Sequence, residues 1–146
     1  MTLRDWAANG WLKVHAPAQQ EIAASLTAAD NDLRDAATPD LSPAWSFNIA
    51  YNAALHLCTA ALAASGYRAD RDSKHFRSIA ALQFTLGDGS EELIQFLDRC
   101  RTMRHDVTYE GVRRISRGEA DELLEAVGEL RDRLIEWLRN THPDLV

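Results

Sequence analysis

Arg101, Arg104 and His105 are the residues whose types and spacing could do chemistry together. Arg101 and His105 are four apart, so on a helix their side chains meet, and Arg104 lies one step round the same side. Arginine stays charged and grips phosphate through two parallel hydrogen bonds. Histidine titrates near neutrality and can move a proton. The combination reads as a site for an anion. The same spacing also allows Asp98, Arg101 and His105 to form an ordinary charge network on a helix surface, and the residues alone leave both readings open.

The element carrying these residues is a helix that begins at Ser90, where Glu91 and Glu92 suit the positive end of the helix dipole. At roughly 100° per residue, Phe96, Cys100, Met103 and Val107 make a core stripe. Beside it runs a strip of Ile94, Leu97, Arg101, Arg104, His105 and Thr108, which mixes apolar groups with cations. A helix covered on one side only has no use for that strip. A cleft or a subunit interface is expected there. Gly111 is read as the end of the helix.

Charge supports a local site over a broad one. The chain of 146 residues carries a net charge of −6, which opposes unspecific attraction to nucleic acid or an anionic membrane. From Arg99 to Arg117, however, six arginines face only Asp106 and Glu110. The five histidines are scattered, so no metal site is expected. No phosphate loop, GxSxG, HExxH or paired CxxC occurs, and no cofactor is implied. His56, inside an apolar helix, reads as a core histidine bonded to a neighbour, and His75 as a cap or loop anchor. Cys58 and Cys100 fall in apolar patterns and read as buried thiols of a reducing cytoplasm. No signal peptide is legible, and no run approaches the ~18 to 20 apolar residues of a membrane span.

A hydrophobic content of 46% predicts a folded chain, and strand signals are nearly absent. The expected fold is all-α: an up-and-down antiparallel bundle of about five helices in one domain, 1–146. Residues 1–16 are an amphipathic extension whose Leu3, Trp6 and Trp11 lie on the bundle, and 17–141 form the bundle itself. Pro17 opens the first long helix, and Ser42-Pro43 caps the second, which is apolar almost all round to Ser65. Asp72 or Ser73 starts a shorter helix through Phe84. Ser116-Arg117-Gly118-Glu119 is a capping box for the last helix, with Leu123, Val127, Leu130, Leu134 and Leu138 inward.

The segments AYNAALHLCTAALAASGYR, KHFRSIAAL and LDRCRTMRHDVTY, in this order, resemble the HEPN superfamily of small helical proteins. The resemblance runs from about Ala18 to Leu138. It implies a two-fold homodimer with the motif helices facing each other, and for active members a metal-independent ribonuclease. There the motif Arg binds the scissile phosphate and a His four to six residues on helps the ribose 2′-hydroxyl attack it. Arg104 matches the motif arginine and His105 the polar residue after it. The histidine position holds Tyr109, a poor base near its usual pKa of about 10. Reading Arg99 as the motif arginine brings His105 within range, although Arg99 points elsewhere by helical phase. Pairing Arg101 with His105 across a dimer axis is a third arrangement.

The resemblance also implies a toxin–antitoxin-type setting beside a minimal nucleotidyltransferase, and the expected function is a dimeric module of such a system, non-catalytic or weakly active. It would bind RNA or nucleotide phosphate through Arg101 and Arg104, or a protein partner of nucleotidyltransferase type. The alternative is a metal-independent endoribonuclease using Arg104, His105 and Tyr109.

Overall fold

A computed structural model of the chain describes residues 1–105 and 114–146. Helices dominate: α1 (Leu3–Ala8), α2 (Gln19–Ala36), α3 (Pro43–Ala64), α4 (Lys74–Ala80), α5 (Leu82–Leu86), α6 (Glu91–His105) and α7 (Arg117–Thr141). A 3₁₀ turn, Pro143–Leu145, follows α7. Two three-residue strands, β1 (Leu12–Val14) and β2 (Tyr67–Ala69), pair antiparallel with Lys13 opposite Arg68.

α3 is the centre. It packs most extensively on α2 and α7, and its small residues Ala50, Ala53, Ala54, Ala60 and Ala61 are buried where the neighbouring backbones draw close. Ser42 caps it by accepting from the Trp45 N–H, and Pro43 occupies its first turn. By length and composition α3 could cross a membrane, which the sequence reading did not expect of any segment. Within the fold 67% of its apolar window is buried, as for a core helix. α7 starts from the anticipated capping box, Ser116 with Glu119, and turns all five anticipated residues, Leu123 to Leu138, into the core.

Some local expectations change. The helix read from Asp72 to Phe84 is broken at Ala81 into α4 and α5. The break lets one segment serve two apolar clusters. Ile79 and Leu82 enter the main core, while Ala81 and Phe84 turn to a second cluster with Trp6, Leu12 and Leu62. There Trp6 meets Phe84 and Trp11 edge to face, at 5.2 and 5.6 Å between ring centroids. The Arg77 guanidinium lies 3.9 Å from the Trp11 ring centroid and ties α4 to the N-terminal segment. Trp45, placed by periodicity among the apolar residues of α3, is 64% exposed. His56 is not a core residue: its half-exposed ring faces Asp32 of α2 at 3.4 Å.

The ribbon of β1 and β2 joins the end of the N-terminal extension to the segment after α3, where few strand signals are present. Gly66 makes it by reversing the chain after α3 at φ +95°, where its carbonyl accepts from His15 N–H at 2.8 Å.

Candidate functional site

α6 leaves a tight turn in which the buried Ser90 hydroxyl donates to the Gly87 carbonyl at 2.6 Å. Its core face holds Leu97 and Cys100, both fully buried, with Phe96 and Met103 alongside. Leu97, assigned by helical phase to the cationic strip, thus belongs to the core. The strip's arginines face α3 and α4 of the same chain, and this explains why they are half-covered.

Two arginines meet aromatic rings there. The Arg104 guanidinium sits 4.9 Å from the centroid of Tyr51 on α3. That of Arg101 sits 5.5 Å from the ring of Phe76 on α4, while its Nε donates to Asp98 Oδ1 at 2.8 Å. Ring faces hold a guanidinium through their quadrupole without neutralising it. Asp98 compensates Arg101 in part. Among the described residues Arg104 makes no ion pair, and Tyr51 is its ring partner. Of the charge network of Asp98, Arg101 and His105, the Asp98–Arg101 pair is present, the His105 side chain lies outside what is described, and Arg104 is not part of that pair.

Tyr51 is fully buried, and its hydroxyl has no hydrogen-bond partner among the described residues. Burial raises its pKa well above the ordinary value, and Arg104 and Arg101 pull it partly back. The ring of His75 lies against it, with 6.2 Å between centroids and 64° between planes. His75 has its pKa lowered, first by loss of solvent and then by the charges of Arg104, Lys74 and Arg101. Its imidazole is therefore held neutral near pH 7, a form with one nitrogen free to accept a proton.

Of the residues singled out from the sequence, Arg101 and Arg104 lie side by side as expected. His105 is the last helical residue of α6, and Tyr109 lies outside the described residues, as do Val107, Thr108 and Gly111. Arg99 leans on Phe96 at 5.7 Å and lines cavities toward α7 with Glu122, on another side of α6. Helical phase had placed it there. Tyr51 and His75 were not recognised as site residues. Local pattern offers no sign of them, since their meeting with Arg104 spans three helices. Among the described residues no group of three His, Cys, Asp or Glu could hold a metal.

The cysteines stand apart from this site. Burial pushes the Cys58 thiol up to about 12, and burial followed by Glu122 does the same to Cys100.

An all-α helical fold with stacked arginines on its penultimate long helix is the class defined here. The HEPN domain matches residues 23–138, and this chain belongs to that family. It is thereby a helical module of the nucleotide- and RNA-related kind. A search of curated proteins finds no match.

Proposed function

We propose that the chain is a phosphate-binding HEPN module that takes RNA or a nucleotide at Arg101 and Arg104. It works as a homodimer in a toxin–antitoxin-type system and turns substrate over slowly or not at all. The observation that carries this reading is the Arg104 guanidinium, stacked on the buried Tyr51 ring with Arg101 on the same side of α6. A stacked guanidinium is oriented in advance, so less side-chain freedom is lost when phosphate arrives. Binding of a labelled RNA oligonucleotide at low salt is the test. Arg104→Ala should weaken it by about tenfold or more, since hydrogen bonds to charged groups contribute about 1.5–3 kcal/mol. Wild-type affinity in that variant, or no binding by wild type, removes the reading. Light scattering checks the dimer, and co-purification with a minimal nucleotidyltransferase encoded next door checks the partner.

A second reading, metal-independent RNA cleavage, is favoured by His75. A neutral imidazole beside two guanidiniums has the parts for attack by a ribose 2′-hydroxyl on its own phosphodiester. The 2′-proton passes to the imidazole, the 2′-oxygen bonds to phosphorus, and the 5′-oxygen leaves and is protonated by solvent. Arg101 and Arg104 hold the charge on the non-bridging oxygens. With EDTA present, His75→Ala should lower cleavage by about 10²-fold or more. Undiminished cleavage in His75→Ala, with loss in His105→Ala, would return the role to His105.

A further inference from the structure

On the other side of α4 from the arginine strip lies a second cationic feature. A cavity of about 650 Å³ is enclosed by the β1–β2 ribbon, the end of α3 and the start of α4. Leu62 and the ring of Tyr67 give it apolar surface, and Lys13, Arg68, Arg71 and Lys74 surround it. Its two acids are paired within the lining itself, Asp70 with Lys13 at 3.3 Å and Glu21 with His15 at 2.7 Å, which leaves Arg68, Arg71 and Lys74 as its excess cations. Arg68, Arg71 and Lys74 are exposed and have no ion-pair partner among the described residues.

The cavity and the strip meet at one place. Lys74 lines the cavity, and the next residue, His75, packs on the Tyr51 ring that also carries Arg104, within reach of the charges of Arg104, Lys74 and Arg101. Cationic groups therefore follow one another from Arg68 and Arg71 through Lys74 to Arg104 and Arg101. Aromatic surface alternates with them, Tyr67 in the cavity and Phe76, 40% exposed, beside Arg101. Repeated positive charge interleaved with ring faces is what a single strand requires, because its phosphates recur and its bases are free to stack. A mononucleotide would use only one end of such a path. A duplex would bring a broad charged face against a body whose net charge is −6.

We infer that the arginine strip is one end of a longer path, and that the ribbon cavity holds a neighbouring unit of the same single RNA strand. The inference rests on the phosphate-binding reading above and adds to it a second subsite, the ribbon cavity, so that a bound strand spans several nucleotides.

Fluorescence anisotropy on the full chain tests it, using labelled single-stranded RNA of two and eight nucleotides, an eight-nucleotide DNA strand and an RNA duplex. Wild type should bind the eight-mer at least tenfold more tightly than the dinucleotide, and the duplex more weakly. Arg68→Ala/Arg71→Ala should weaken eight-mer binding about tenfold and leave the dinucleotide unchanged. Its slope of log affinity against log salt should fall by about 1.4, at about 0.7 per phosphate contact on a single strand. Equal binding of the DNA strand supports the path, which then reads phosphate and base faces without using the 2′-hydroxyl.

Wild-type eight-mer affinity and salt slope in both Arg68→Ala/Arg71→Ala and Lys74→Ala, with Arg104→Ala still impaired, overturn the path and leave the single phosphate site standing. Impairment by the cavity variants with Arg104→Ala unaffected overturns the continuity and the phosphate reading together. Duplex binding as tight as single-strand binding overturns the substrate class. The residues changed are surface cations, and circular dichroism verifies that each variant is folded.

Discussion

Tyr51 shows how a single side chain can be both a packing group and a platform. Its ring fills the core under Arg104, while its hydroxyl is buried without a partner among the described residues. A buried hydroxyl that makes no hydrogen bond is a cost, so Tyr51→Phe should leave stability unchanged or raise it by about 1 kcal/mol in urea unfolding. The same variant keeps the ring and should keep phosphate affinity. Tyr51→Ala removes both and should cost about 3–5 kcal/mol, by analogy with other large aromatic truncations. His75 allows a pH prediction with a definite sign. It faces Tyr51 from α3, Arg101 and Arg104 from α6, and Lys74 on its own helix, and its pKa is lowered in the fold. Its contribution to stability is thus present above the unfolded value of about 6.5 and is lost as pH falls below it. Between pH 7 and pH 5 the wild-type melting temperature should fall further than that of His75→Asn.

The elements owe their ends to recognisable local chemistry. The Ser116–Glu119 box holds the start of α7 with reciprocal hydrogen bonds, both at 3.0 Å. Ser116→Ala should therefore cost about 1 kcal/mol in thermal or urea unfolding. Gly66 turns the chain into the ribbon with a left-handed backbone, and Gly66→Ala should cost about 1 kcal/mol and loosen the cavity wall. Cys58 on α3 and Cys100 on α6 are both buried, with thiols pushed up to about 12. Neither should react with a thiol reagent at pH 8 until the chain unfolds. A fast-reacting thiol in the folded protein would contradict the packing of α6 on the core.

For the whole molecule, the arrangement of charge sets the terms of any partnership. An acidic body carries cations concentrated on both sides of α4, where α3, α6 and the ribbon converge. Binding through such a path must weaken steeply with salt, and the slope counts the contacts. The N-terminal segment completes the ribbon and is held by Trp6, Trp11 and Arg77. Arg77→Ala should lower stability by about 1 kcal/mol, a typical value for a cation on a ring face.

The long helices, the caps of α3 and α7 and the inward face of α7 could be read from the chain directly, because periodicity and capping act over a few residues. Arg101 and Arg104 could be recognised as neighbours for the same reason. Periodicity also showed that the strip on α6 needs a cover. It could not show what covers it, since Tyr51, Phe76 and Arg104 come from three separate helices and no local rule links them. Only packing decided that the strip lies against the chain's own α3 and α4, that His75 joins it, and that a three-residue ribbon builds a second cationic cavity beside it.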